Sequence, residues 1–404
     1  MSKKVEPILQ LPAIAVSKLF TDFFESEKVG GLLLLAGTIV SLLLANSSIG
    51  EEYIEFWHQK IDLSFGPVAL NYSIEHWVND GLMTIFFLLV GLEIERELYR
   101  GELSKFKNAV TPIAAAIGGM AVPALIHFIF NKGINTQDGV GIPMATDIAF
   151  ALGMLSLLGK RVPVSLKIFL TALAIIDDLG AITVIAIFYS KGISFGYMIA
   201  AGAIFIMLMA FQKLRILNLY LYLLPGAVLW YCMLKSGIHA TIAGVLLAFA
   251  IPFGKNDDKN PSYWLQRLLH KPIAFLLLPF FALVNTALVF DKGWEQELLS
   301  ENSLGIIAGL FIGKPLGIVL FCLLLVKLRW GKLPNNTNWS YLVGAGLLAG
   351  LGFTMSIFIS NLAFSDFDLI QHSKIAVLVG SFLSCVTGLA ILYFSIRKKY
   401  KGKD

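Results

Sequence analysis

Residues 171–182 read TALAIIDDLGAI, and the side-by-side carboxylates Asp177 and Asp178 decide how the rest of the chain is to be read. Two acids inside an apolar helical run need either lipid with a water-filled cavity or a soluble core with partners. Composition chooses between these. Of 404 residues, 57% are hydrophobic and 15% charged, against about 25% charged in soluble domains, and the mean hydropathy is +0.75. The apolar residues recur in blocks of roughly 20, the length that crosses a hydrocarbon layer of about 30 Å. The chain reads as an all-α polytopic membrane protein.

Twelve spans are expected, at about 29–46, 80–99, 110–129, 142–158, 164–190, 195–211, 218–234, 237–252, 272–290, 304–326, 339–362 and 375–395. The loops test that division independently. Even-numbered connections hold basic clusters such as Lys160 with Arg161, Lys213 with Arg215, and Lys327, Arg329 and Lys332. Odd-numbered ones hold mostly single cations or acids, including Glu51, Glu52 and Glu55. This alternation follows the positive-inside rule with both termini cytoplasmic. Residues 1–28 then form a cytoplasmic segment without a removable signal peptide, 29–395 the transmembrane domain, and 396–404 a basic cytoplasmic tail. The formal charge of +5 is spread over short loops and the tail, so nucleic acid is not an expected partner. Cys232, Cys322 and Cys385 lie in apolar runs and read as buried hydrophobes.

Between the first two spans, residues 61–73 read IDLSFGPVALNYS. The rough alternation around Gly66-Pro67 predicts a small external β-hairpin. Its free edges either pair with a second copy of the chain or cap the chain's own helices.

Ionisable residues well inside spans are few: Asp147, Asp177, Asp178 and Lys314. A charge at mid-bilayer costs several kcal/mol and marks a pathway or site by default. A helix-holding ion pair would explain one Asp and one Lys, but three aspartates against one lysine do not balance. A carboxylate left over must be neutralised by a proton or a cation. Adjacent helical residues point about 100° apart, so one aspartate can face Lys314 while its neighbour faces a cavity, with coupled titrations. A carboxylate that exchanges a proton for a hard monovalent cation is the chemistry of a proton-coupled cation exchanger.

Asp147 belongs to a second feature. Residues 141–153 read GIPMATDIAFALG and residues 344–359 read GAGLLAGLGFTMSIFI, both with the marks of helices unwound in the middle. Interrupted helices in the two halves of a transporter point to its binding site. Glycines alone more often mean tight packing; a membrane aspartate beside them favours function. Half-helix ends within the membrane carry roughly half a charge each. Asp147 suits the positive ends, and Lys314 suits the negative ends or Asp177. At the end of span 2, GLEIEREL places Glu93 and Glu97 on one face with Arg96. This is either an interfacial ion-pair cluster or a cytoplasmic funnel. His239 and His270 have a side chain suited to sensing pH, although a lone His is more often structural.

Together TALAIIDDLGAI, ATDIAFALG, GIIAGLFIGKPLGI, VGLEIEREL, KSGIHATIAGV and GLGFTMSIFIS resemble the NhaA-type sodium/proton antiporters, in order, from about residue 28 to the C-terminus. The resemblance implies twelve helices with an inverted repeat relating spans 3–5 to 10–12, and discontinuous spans 4 and 11. It implies Asp178 as principal Na⁺ carboxylate and Asp177 as its essential neighbour, paired with Lys314 in the inward-facing state. Thr146 and Asp147 would lie at the helix crossing, and Glu93, Arg96, Glu97, His239 and His270 would serve the pH response. The implied activity is electrogenic export of Na⁺ or Li⁺ against more than one H⁺, without cofactors, in a homodimer of the bacterial inner membrane joined partly through the hairpin. One departure stands out: YWLQRLLH carries Tyr263 and Gln266 where the family has charges, so the pH profile need not carry over.

Other classes fit less well. An intramembrane aspartyl protease needs aspartates on different helices, and a prenyltransferase needs DDxxD, whereas Leu179, Gly180 and Ala181 follow the pair. A passive channel fits the charges but not interrupted helices. A cation-coupled solute symporter is the nearest alternative.

Overall fold

The computed structural model describes residues 29–190, 192–254, 260–290 and 293–401; the segment expected at 1–28 lies outside them. The chain is mostly helical. Helix α1 (Val29–Ala45) turns by 115° into the short α2 (Gly50–His58). Two strands follow, β1 (Lys60–Asp62) and β2 (Asn71–Ser73), antiparallel with Ile61 opposite Tyr72. A Phe65–Val68 bridge closes the tip, where Gly66 takes a φ of +53°. The hairpin read from Gly66-Pro67 is present.

The helices that follow are α3 (Ile74–Tyr99), α4 (Phe106–Asn131), α5 (Ile148–Leu157), α6 (Val164–Phe188), α7 (Phe195–Lys213), α8 (Tyr220–Ser236) and α9 (Ile242–Ala250). After them come α10 (Pro261–Asn285), α11 (Trp294–Glu297), α12 (Glu301–Lys327), α13 (Trp339–Ala349), α14 (Phe353–Ala363) and α15 (Phe367–Lys401). Eight helical stretches among the described residues are long and apolar enough to cross a membrane, or up to ten if each bent pair is one span. The span expected at 272–290 starts earlier, because Asn260 caps α10 and Pro261 opens it. Helix α15 runs on past residue 395 to Lys401.

Both predicted interruptions are present. A 3₁₀ turn at Gln137–Met144 leads through extended residues to α5, and α13 and α14 meet at a 45° bend over residues 350–352. The glycines at this second break are there for room rather than for backbone freedom. A methyl group at Gly350 would run into the Leu310 carbonyl oxygen, and one at Gly352 into Ser356.

Among the described residues, three π-turns widen the long helices, at Trp77–Leu82, Ile273–Leu277 and Gly309–Gly313. The last ends just before Lys314-Pro315. Pro315 cannot donate a backbone N–H and its ring crowds the preceding turn, so the helix loosens there and re-aims Lys314. Gly309, Gly313 and Gly317, one turn apart, let α12 lie against the Pro143 turn and against Pro123 and Gly118 of α4. Small residues are what permit such close helix contact in lipid.

Among the described residues, the buried apolar side chains fall into two clusters. The larger joins α1, α4, α5, α6 and α10 to α12–α15. The smaller joins α7, α8 and α9. Helix α3 contributes to both, Phe87 and Val90 to the larger and Leu88 and Leu92 to the smaller, and so do α9, through Val245 in the larger, and α10, through Leu265 in the smaller.

Candidate functional site

The two interruptions cross each other, and Asp147 sits at the crossing. It is the N-cap of α5, where its Oδ1 accepts the Phe150 N–H at 2.9 Å. Its Oδ2 accepts from Thr354 at the start of α14, from the hydroxyl at 2.5 Å and the N–H at 3.2 Å. One carboxylate therefore meets the positive ends of two half-helices, the arrangement expected of helix macrodipoles facing an anion. The Asp147 N–H in turn donates to the Leu351 carbonyl at 2.6 Å.

Lys314 serves the opposite ends. Its Nζ donates to the carbonyl of Met144, the last residue of the 3₁₀ turn, and lies 2.7 Å from Asp177 Oδ2. Asp177 and Lys314 are both fully buried. The Thr146 hydroxyl stands 2.7 Å from the same Asp177 oxygen and 2.8 Å from the carbonyl of Ala349, the last residue of α13. With one proton for two acceptors, it satisfies one at a time unless the carboxyl itself carries a proton. Ser356 adds a further tie between the halves, donating to the Ile142 carbonyl at 2.6 Å.

Asp178 has different company. It is 1% exposed, and neither its Oδ1 nor that of Asp177 has a hydrogen-bond partner among the described residues. Charges on Asp177, Asp147, Glu93 and Lys314 are all near enough to act on it. Buried oxygens left unbonded are costly, and here they belong to adjacent acids. The donor set fits a proton or a small hard cation.

Of the residues expected in a funnel, Glu93, Arg96, Glu97 and His270 gather at one end of α3. His270 Nδ1 is 4.0 Å from Glu93 Oε1, Arg96 is 3.3 Å from Glu97, and Gln266 lies close enough to act on Glu93. His239 is not among them. Its Nε2 pairs with the Tyr189 carbonyl at 2.9 Å, and it acts electrostatically on Asp80, near the hairpin end of α3. Glu93 and Asp80 are 13 residues apart, about 20 Å along a helix.

Sequence reasoning passed over several buried polar groups. Glu95 is 2% exposed and accepts from the Ser262 hydroxyl at 3.2 Å. Lys374 and Asn285 are also buried. Glu95 sits within the quoted GLEIEREL and was legible as a third acid there. The other two are single polar residues near the ends of apolar runs, with no local signal.

These features define a class: a helical membrane protein that keeps an acid pair, a lysine and two interrupted helices together in its interior. Residues 21–392 match the family model described as Na+/H+ antiporter 1, and the chain belongs to that family, which is one of transporters rather than enzymes. It is 56% identical over 384 residues to the Na(+)/H(+) antiporter NhaA of Dechloromonas aromatica, covering 94% of this chain and 96% of that one. It is 54% identical over 383 residues to the Na(+)/H(+) antiporter NhaA of Cytophaga hutchinsonii, covering 95% and 97%. Against the Na(+)/H(+) antiporter NhaA 1 of Klebsiella pneumoniae the identity is 47% over 374 residues, covering 92% and 95%.

Proposed function

We propose that this protein exchanges Na⁺ or Li⁺ for H⁺ across a bacterial inner membrane, exporting the metal ion and admitting more protons than the charge it releases. The observation that carries this is the acid pair at the crossing. Asp177 is held by Lys314 and Thr146, while the buried Asp178 has an oxygen unpartnered. Na⁺ binds Asp178 when the pair is deprotonated, with Asp177 beside it. Rearrangement at the crossing exposes the site to the other side, where protons displace the ion from the same oxygens. Competition for one set of oxygens is sufficient for coupling, and no cofactor enters the cycle. Asp147 and Lys314 keep the four half-helix ends electrically compensated throughout.

The same reading extends to the architecture. Helices α8 and α9, too short to stand as spans by length, complete twelve with the ten already counted, and spans 3–5 repeat as 10–12 in inverted order. Both termini face the cytoplasm and the hairpin faces out, where it joins two copies into a dimer. Glu93, Arg96, Glu97 and His270 form the cytoplasmic funnel that makes exchange pH-dependent, with His239 contributing from the opposite end.

Everted membrane vesicles provide the test. Addition of Na⁺ or Li⁺, but not K⁺, dissipates the internal acid in vesicles carrying this protein, and Asp178→Asn abolishes the response. No cation-evoked proton movement between about pH 6 and 9 would overturn the reading.

A further inference from the structure

Near the hairpin end of the helices lies a polar network that the exchange site does not use. Asn285, the last residue of α10, is 1% exposed. Its Nδ2 donates to Asn79 Oδ1 in the π-turn of α3 at 2.8 Å and to the Phe281 carbonyl at 3.2 Å. Its Oδ1 accepts from Asn361 Nδ2 on α14 at 2.8 Å. The ammonium of Lys374, on α15, approaches that same Oδ1 at 3.5 Å. One amide thus gathers four helices.

Lys374 is the unusual member. It is 6% exposed, yet its contacts are the 3.5 Å approach to Asn285 and a 3.9 Å approach to Glu75 Oε1. Charge-assisted bonds of a settled ammonium are about 2.7–2.9 Å. A buried cation held this loosely sits in a shallow well. Glu75 is only partly buried and is shared with His58, whose Nε2 lies 3.4 Å from Oε2. The network therefore runs from a half-exposed acid beside the hairpin inward to the end of α14. The other end of α14 is Thr354 on Asp147. Helix α14 has 11 residues, so it is a rod about 16 Å long with one end on the exchange site and the other on Asn285.

We propose that Lys374 is a gating residue for the exchange. Its ammonium, resting on Asn285 and Glu75, ties α15 to the amide that anchors α14 and closes the route from the hairpin side; its displacement unties α15, so that α14 and its anchor move together and open the acid pair to that side. The proposal rests on the exchange reading above.

The test is sidedness. Na⁺-dependent exchange is measured in everted and in right-side-out vesicles from the same cells, with an epitope inserted at Gly66 reporting which face carries the hairpin. Removing the ammonium raises the population open to the hairpin side, and apparent affinity on a side scales with that population. Lys374→Gln is expected to lower the apparent KM for Na⁺ at the hairpin face several-fold, with less than a twofold change at the Glu93 face. Lys374→Arg restores the wild-type ratio. Equal shifts on both faces, no shift, or an Arg variant that behaves like Gln would overturn the gate. Should Lys374→Gln not reach the membrane, Glu75→Gln on the half-exposed partner is expected to show the same one-sided change, smaller in size; a symmetric result there counts equally against it. A wild-type protein without Na⁺-evoked proton movement would instead overturn the exchange reading.

Discussion

The Lys314 ammonium and the Asp177 carboxylate lie 2.7 Å apart, both fully buried, whereas the buried Asp178 next in sequence has an oxygen with no hydrogen-bond partner. Removing one member of a buried pair strands the other, at a cost of about 3–5 kcal/mol. Lys314→Gln should therefore lower the stability of the detergent-solubilised protein by roughly that amount. Combined with Asp177→Asn, most of the loss should return. Thermal unfolding of the two single variants and the double closes the cycle, and additive losses would show the pair to be energetically uncoupled.

Asp147 invites a separation of charge from capping. Asn is as good an N-cap as Asp, while Ala loses about 1 kcal/mol at each cap. Because Asp147 meets α5 and α14 at once, Asp147→Ala should cost roughly 2 kcal/mol, and Asp147→Asn clearly less. Both variants should exchange ions poorly, since neither neutralises the half-helix ends. An Asn variant with full activity would assign Asp147 a capping role alone.

Two glycines near the site should respond oppositely to alanine. A methyl at Gly317 meets the backbone carbonyl of Gly118, which cannot yield without moving a helix. At Gly180 it meets the sulfur end of Met120, a side chain free to rotate away. Gly317→Ala should give little folded protein in the membrane, and Gly180→Ala near-normal amounts. Fluorescence-detected size-exclusion profiles of the two variants would decide, and equal yields would contradict the packing argument.

Gln266 lies close enough to act on Glu93, so Gln266→Glu would place a second carboxylate near the first. Like charges at close range disfavour each other. The pH of half-maximal exchange should move upward and the curve steepen. A pH–rate profile identical to that of the wild type would dissociate Gln266 from the response.

How much of this was legible in the sequence depends on how local each signal is. Asp177, Asp178, Asp147 and Lys314 are conspicuous because each is a charge within an apolar run, and the glycines of 344–352 advertise the break beside Thr354. The hairpin was readable from Gly66-Pro67 and the flanking alternation. The Asn79–Asn285–Asn361 network was not, since each amide is unremarkable alone and the three are separated by 206 and 76 residues. His239 matched a family motif yet sits at the opposite end of α3 from Glu93, because motif matching places a residue along the chain and not across the membrane. The π-turn before Pro315 was foreshadowed by the proline, but the direction in which it turns Lys314 depends on α4 packed alongside.

The partition of the apolar interior has a mechanical meaning. Two side-chain clusters, each filled from within, meet along a wall formed by α3 with α9 and α10 beside it. Close packing makes each block stiff and slow to deform, so relative motion is cheapest as a slip between blocks, where facing surfaces slide without either interior being opened. Glu93 stands on that wall, within electrostatic reach of Asp178 on the larger block. A displacement of a few ångströms along the wall would therefore change the local field at the acid pair directly, with no message having to travel through the fold.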